Sequence, residues 1–267
     1  MPIFQTPEPI TATVEVAAGS VHLAATDRDD TVVEVSPRNP NRASDVRAAE
    51  QARVDFRHGT LVVSAGRRML SMGRGGAVRV DIGLPSGSRL HASSASAEVR
   101  ADGLLGDCRL ASASGDLLVD SVSGQIKADT ASGQISVQNA GGNVSIATAS
   151  GDVTIGRLDG DLKFQAASGA LGIDELRGDV TVRTASGRVT IAAAVKGAVS
   201  IVASSGEVEV GVATGTAAKL DLRSGSGLVS NGLEPADGPA DGDETLVVQV
   251  RTGSGDIAVR RSVSARL

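Results

Sequence analysis

The sequence predicts an all-β protein, a flattened parallel β-solenoid with two strands and eighteen residues per coil and an irregular β-rich N-terminal cap. Three observations predict this class. Glycine recurs at every ninth position, an apolar alternation follows each glycine, and the sequence of the corners repeats at every second glycine.

The glycine series is too regular to arise by chance, since glycine is only 33 of 267 residues. Ten glycines lie nine residues apart, and three more follow after one extra residue. Because glycine adopts positive φ without a steric penalty, each one is expected at a tight corner. The series is Gly106, Gly115, Gly124, Gly133, Gly142, Gly151, Gly160, Gly169, Gly178, Gly187, Gly197, Gly206 and Gly215.

The second and fourth places after each glycine are apolar in eleven consecutive units, and the place between them is usually polar. Alternation with a period of two predicts a strand with one buried face. The seventh place is small or apolar and is expected to fill the inside of the bend. The predicted buried pairs are Leu117/Val119, Ile126/Ala128, Ile135/Val137, Val144/Ile146, Val153/Ile155, Leu162/Phe164, Leu171/Ile173, Val180/Val182, Val189/Ile191, Val199/Ile201 and Val208/Val210.

Every second corner reads TASG or a close variant, as at 130–133, 148–151 and 184–187, whereas the intervening corners vary. A coil therefore contains two strands and two corners. Stacking of the like corners on one edge predicts ladders of hydrogen-bonded Ser and Thr hydroxyls.

The periodicity divides the chain into four parts. Residues 1–85 are predicted to form the β-rich cap and residues 86–230 the solenoid of nine-residue half-coils. Residues 231–244, rich in Gly, Pro and Asp, are predicted to form an exposed loop, and residues 245–267 the closing strands.

Two segments of the cap depart from the strand pattern. Residues 43–52 read as a helix with Ser44 or Asp45 as its N-cap. The basic, glycine-rich segment 66–76 is interpreted as a mobile loop.

Units of the form SGD-V-x-V, followed by the closing segment DETLVVQVRTGSGDIAV, resemble a bacterial family of putative adhesins. Its members are β-strand-repeat proteins, classed as a domain of unknown function. The resemblance covers nearly the whole chain. It implies a β-repeat fold and an adhesin-like binding role.

Composition and charge exclude several classes of partner. The chain has 26 basic and 31 acidic residues, a net charge of −5 and only three aromatic side chains, which argues against nucleic acid and anionic membrane surfaces. The start MPIFQTPEPI is not a secretory signal, and no apolar run is long enough to span a membrane. These features predict a soluble cytoplasmic protein, with export by a non-classical route left open.

Cys108 is the one cysteine, so no intrachain disulfide can form. Its place in the repeat predicts that it points inward as a small buried side chain.

No catalytic, cofactor-binding or metal-ligating residue is predicted. His22, His58 and His91 read as ordinary surface histidines, and the recurring corner serines read as structural rather than nucleophilic. The segment 73–78 (GRGGAV) does not match a phosphate-binding loop.

Aspartates that follow the corner glycines are interpreted as turn-forming residues. The calcium motif GGxGxD is absent, so weak cation binding is only the alternative. These aspartates are Asp107, Asp116, Asp152, Asp161 and Asp179.

The predicted function is a non-enzymatic solenoid scaffold or adhesin-like binding module that presents polar Ser/Thr-rich faces to an unknown protein or glycan. One alternative is a carbohydrate-active β-helix enzyme, which would need an acid cluster with a basic partner in a loop-walled groove. Another is a self-associating structural protein that pairs through exposed end strands. An ice-binding face is disfavoured, because Lys127 and Lys163 interrupt the outward column. The oligomeric state is left open.

Overall fold

The computed structural model describes residues 2–66, 76–235, 238–240 and 242–262. The predicted all-β class is confirmed, and the strand pairing gives a β-solenoid-like fold. Most of the predicted loop 66–76, and residues 236, 237 and 241 of the predicted loop 231–244, lie outside the described residues. The chain forms two compact units, Met1–Val137 and Gln138–Leu267.

The N-terminal unit contains one short helix, α1 (Ala43–Glu50), among its described strands. The strands are β1 (Ile3–Gln5), β2 (Thr11–Thr26), β3 (Asp30–Pro37), β4 (Arg53–Arg57), β5 (Thr60–Ala65), β6 (Val78–Pro85), β7 (Arg89–Leu105), β8 (Cys108–Ser112), β9 (Leu117–Val122) and β10 (Ile126–Thr130). Strand β11 (Ile135–Ala140) spans the boundary between the units.

The C-terminal unit consists of strands in the part of the chain that the structure describes. They are β12 (Val144–Thr148), β13 (Val153–Asp159), β14 (Leu162–Ala166), β15 (Leu171–Arg177), β16 (Val180–Ser186), β17 (Val189–Ser205), β18 (Val208–Val212), β19 (Thr216–Ser226), β20 (Val229–Asn231), β21 (Glu244–Ser254) and β22 (Ile257–Arg261).

Two sheets make up the N-terminal unit. Sheet A contains, in spatial order, β4, β5, the first half of β2, the first half of β7, β8 and β10. Sheet B contains β1, β3, β6, the second halves of β2 and β7, and β9. Pairing is parallel except for the outer strands β4, β3 and β1. From β7 onward, most paired residues are eighteen apart in sequence, as in Leu90↔Cys108↔Ile126, and the separation falls to seventeen at Leu104↔Ser121.

Sheets C and D make up the C-terminal unit, and the pairings among their described strands are parallel. Sheet C contains β12, β14, β16, the second half of β17, β21 and β19. Sheet D contains β13, β15, the first half of β17, β18, β22 and β20. The sequence separation of paired residues is eighteen up to β17, as in Leu162↔Val180, and becomes nineteen at the extra residue, as in Val180↔Val199.

The C-terminal strands do not occupy the outer edge of their unit. Strand β21 lies between β17 and β19, and β22 lies between β18 and β20. The preceding segment, β19 and β20, is therefore displaced to the outside. Chain order and spatial order differ at this point.

All eleven apolar pairs predicted to be buried are buried. The seventh-place prediction holds at only one set of corners. Val122, Leu158 and Leu176 are buried there, but Ala131 and Ala149 of the TASG corners are exposed. At the TASG corners, the threonine that precedes the alanine points inward instead, because its hydroxyl accepts a hydrogen bond inside the turn.

The expectation that corner glycines need positive φ is correct only for part of the series. Gly187 has φ +138°, but Gly133 does not lie in the left-handed region. At Gly133 the reason for glycine is close approach, since an alanine Cβ there would overlap the carbonyl oxygen of Gly115 in the preceding coil.

The predicted N-cap of the helix is wrong. The cap residue is Arg42, which makes no side-chain cap bond. Asp45 is instead buried in the first turn, where its carboxylate accepts hydrogen bonds from the Ala77 N–H at 3.1 Å and from the Ser44 hydroxyl at 3.1 Å. Desolvation would raise the pKa of Asp45, but these hydrogen bonds outweigh it and the pKa lies below its usual value.

Candidate functional site

The outer face of sheet A carries a column of basic side chains, which we call basic column A. His91 on β7 pairs with Arg109 on β8, which pairs with Lys127 on β10. Each points outward because the residues on either side of it along its strand are buried. Neighbouring strands are about 4.8 Å apart, so the three basic groups form a closely spaced ladder.

A groove of about 330 Å³ runs beside basic column A. Ser93 and Ala111 leave room for it because their side chains are small, and Glu15 and Asp129 also line it. Arg109 and Lys127 are exposed, and within the described part of the chain neither has a carboxylate within 4.0 Å. The groove therefore exposes two cations that form no close ion pair with a described carboxylate.

Sheet C carries a second basic column on its outer face, which we call basic column C. Arg183 pairs with Val202, Val202 with Arg251, and Arg251 with Arg223. Arg223 forms an ion pair with Asp221, with 3.0 Å between Nε and Oδ1. Arg183 and Arg251 are exposed and have no ion-pair partner among the residues described.

The outer faces of sheets B and D are different, because several of their arginines are paired with acids. On sheet B, Arg100 Nε lies 3.0 Å from Asp102 Oδ1, and this hydrogen bond lowers the pKa of Asp102 and raises that of Arg100. On sheet D, Arg157 Nε lies 2.8 Å from Asp159 Oδ2, which raises the pKa of Arg157. Charge on these faces is largely satisfied within the protein.

His22 lies next to Asp102 on sheet B, and this contact was not predicted from the sequence. Its Nε2 is 2.8 Å from Asp102 Oδ2, and its Nδ1 is 3.6 Å from Asp81 Oδ1. Both acids are distant from His22 along the chain, so no local spacing could reveal them. Across 2–66, 76–235, 238–240 and 242–262, no group of three or more His, Cys, Asp or Glu could hold a metal ion.

The other two histidines lie outside this cluster. His58 is exposed in the β4–β5 turn with φ +49°, whereas half-buried His91 lines the sheet A groove. The structure brings none of the three histidines together.

The aspartates after the corner glycines act within the backbone. Asp161 Oδ1 accepts the Asp179 N–H at 3.2 Å, and Asp179 Oδ1 accepts the Ala198 N–H at 2.8 Å. Asp152 Oδ1 accepts the Ala170 N–H at 2.7 Å in the same way. Each carboxylate thus links one coil to the next. This structural role accounts for the recurring aspartates, and no bound cation is needed to explain them.

The predicted hydroxyl ladder forms only in part. Ser94 Oγ donates to Ser112 Oγ of the next like corner at 3.2 Å, as predicted. Thr148 Oγ1 instead accepts the Gly151 N–H of its own turn at 2.8 Å, and Thr130 accepts that of Gly133 at 3.0 Å. The hydroxyls of Ser114, Ser132 and Ser168 donate to backbone carbonyls of the preceding like corner. Because these threonines are buried and their hydroxyls engaged, their hydroxyls are not available at the surface.

Cys108 is 1% exposed, as predicted, and burial raises the pKa of its thiol to about 12. Because the thiolate is the reactive form, we expect iodoacetamide to leave Cys108 unmodified in the folded protein at neutral pH. The same chain in urea should be alkylated fully, as intact mass spectrometry would show. Rapid alkylation of the folded protein would contradict the buried position.

The described part of the chain has no helix of the length and apolarity that a bilayer crossing requires.

A search of curated proteins finds no significant match to the sequence. Among solved structures, a putative adhesin from Parabacteroides distasonis is 13% identical, with 96% of this chain and 95% of that one covered and a TM-score of 0.42. A putative adhesin from Parabacteroides merdae is 12% identical, with 97% and 95% covered and a TM-score of 0.39.

A third solved structure, a putative lipid binding protein from Parabacteroides distasonis, is 9% identical, with 97% of this chain and 96% of that one covered and a TM-score of 0.37. The family model described as Toastrack DUF4097 matches residues 11–175. The resemblance to a bacterial family of β-strand-repeat proteins of unknown function is thereby confirmed. Since the match extends over more than half of the sequence, this protein belongs to the Toastrack DUF4097 family.

Proposed function

We propose that this chain is a non-enzymatic binding module whose sheet A and sheet C faces hold a carboxylated glycan. One observation carries the proposal: exposed cations without a carboxylate partner among the described residues share one column on each face. Arg109 and Lys127 pair directly on sheet A, and Arg183 and Arg251 lie on either side of Val202 on sheet C. Guanidinium and ammonium groups of this kind pair with carboxylates of a ligand.

An acidic glycan fits the sheet A groove better than an acidic peptide does. The groove combines Arg109 and Lys127 with the acids Glu15 and Asp129. Ligand carboxylates can pair with the two cations, and sugar hydroxyls can donate to the two acids. A polyglutamate side chain offers no such donor.

The binding is weak at each contact and gains strength by repetition. An exposed ion pair contributes about 0.2–1 kcal/mol, and salt screens it. Among the described residues, no Phe, Tyr or Trp side chain lines the groove to stack on a sugar ring. Because each basic column repeats its cations on successive strands, a polymer with repeated carboxylates gains avidity along a single column.

The fold suits this role as a scaffold. We propose that coils of two strands and eighteen residues form flattened stacks within each unit, capped in the N-terminal unit by the irregular segment 1–85. Outward positions of such coils line up in straight columns, so a linear polymer meets equivalent groups along its length.

Reversal of two charges tests the proposal. We expect R109E/K127E to weaken binding of polygalacturonate about tenfold, because two attractions of about 0.7 kcal/mol each are lost. The control R38E/R79E makes the same change in net charge at positions outside the basic columns. Binding would be measured by biolayer interferometry at low and physiological salt.

Three ligands separate the possible partners in this experiment. Preference for polygalacturonate over polyglutamate and neutral dextran supports the glycan, whereas preference for polyglutamate identifies an acidic polypeptide instead. Equal loss in both double variants would contradict a site at basic column A. Release of reducing ends from polygalacturonate would overturn the non-enzymatic role and favour the carbohydrate-active alternative.

A further inference from the structure

The outermost strands of the C-terminal unit, β19 and β20, form an edge that we call the terminal edge (residues 216–231). Within the described residues, β19 pairs along one side only, with β21, and β20 pairs only with β22. On the other side of β19, no described strand pairs with its backbone N–H and C=O groups. Such an edge is a template for another strand.

The hydrophobic interior is left uncovered at this edge. Leu220 and Leu222 pair with Val248 and Val250, which are fully buried, yet both leucines remain partly exposed. Val229, which pairs with fully buried Ile257, is 41% exposed. The row of inward side chains thus ends without a cover.

The outer strands of the N-terminal unit are shorter than the terminal edge. The outer strand of sheet A, antiparallel β4, has 5 residues and the outer strand of sheet B, β1, has 3, whereas β19 has 11. The helix α1 packs against β3 and β6 of sheet B. In the C-terminal unit, every described residue from Gly225 to Gly232 is exposed.

Charge complementarity identifies the occupant. The outward side chains of β19 alternate as Lys219, Asp221 and Arg223. If a second β19 pairs antiparallel about a two-fold axis at Leu220, Lys219 of each copy lies opposite Asp221 of the other. The same register places Leu220 against Leu220 and Ala218 against Leu222.

We propose that two copies of this chain form a closed dimer through antiparallel pairing of their terminal edges. Such an interface is isologous, so each contact occurs twice and no further strand can add. The pairing extends sheet C across both copies and covers Leu220 and Leu222. This inference is independent of ligand binding at the basic columns.

Charge variants test the register directly. K219E places two carboxylates opposite each other at both pairs, and D221K places two ammonium groups there. We expect each variant alone to raise the dissociation constant of the dimer about tenfold, because like charges directly opposite destabilise strand pairs. An equimolar mixture of the two variants restores opposite charges at every pair and should recover the dimer.

Sedimentation velocity over a range of concentrations, with circular dichroism to verify folding, would give the result. K163E, which changes an outward lysine on β14, is the matched control and should dimerise as the unmodified protein does. Monomeric unmodified protein at all concentrations would overturn the proposal, as would single variants that dimerise normally or a mixture that stays monomeric. Growth to larger assemblies with concentration would also overturn it, because a closed two-fold pair stops at two.

Discussion

Replacement of Gly187 by alanine is expected to destabilise the protein by about 3 kcal/mol. Gly187 has φ +138°, a conformation that residues with a side chain rarely adopt. An added Cβ would also overlap the carbonyl oxygen of Gly169 in the preceding coil. The backbone cannot relieve both strains without separating two stacked turns. Urea unfolding followed by circular dichroism measures the change.

Gly172 provides the matched control for this substitution. It lies on β15 at an outward position, where a new Cβ would be 3.8 Å from Thr154 Cγ2, an ordinary contact. G172A is therefore expected to leave the unfolding midpoint unchanged or raise it slightly, since glycine is a poor strand former. Similar effects at the two positions would show that the corner geometry is not the cause.

Replacement of Phe164 by alanine is expected to cost about 3–5 kcal/mol of unfolding free energy. Phe164 on β14 is fully buried between Ile146 of β12 and Val182 of β16. Closely stacked strands on both sides prevent collapse into the space that the ring would leave. The same urea titration measures the loss.

Two further variants separate cavity formation from the loss of an aromatic ring. F164L keeps most of the volume and should cost about 1 kcal/mol. F56A removes a half-buried ring that stacks on Phe4 with 5.1 Å between centroids, and it should cost clearly less than F164A. A loss at Phe164 no larger than that at Phe56 would contradict its place in the core.

The strands and their buried faces could be predicted because the information is local. Each nine-residue unit carries its own alternation, and one register shift would turn every apolar residue outward. The position of β21 and β22 could not be predicted, because the regular spacing stops at Gly215. Beyond Gly215, the apolar pairs Leu220/Leu222 and Val248/Val250 match the strand alternation equally well. The sequence therefore does not show which of the two strands stacks on the preceding coil.

The candidate site was harder to predict for a related reason. Outward residues form columns only after the strands are assigned to sheets, and Arg251 joins Arg183 and Arg223 only through the inserted strand β21. His22 meets Asp81 and Asp102 through pairing of β2 with β6 and β7, across long separations. The identity of a side chain is local, but its neighbours on a surface are not.

The insertion of β21 between β17 and β19 has a consequence for biosynthesis. The ribosome releases β19 before β21, so β17 first meets β19, whose apolar alternation suits the place that β21 later takes. To reach the native arrangement, the chain must hold β19 away until β21 has been synthesised or release it from a mispaired intermediate. Long-range strand pairing of this kind slows folding, so completion of the C-terminal unit is expected to be the late step in maturation.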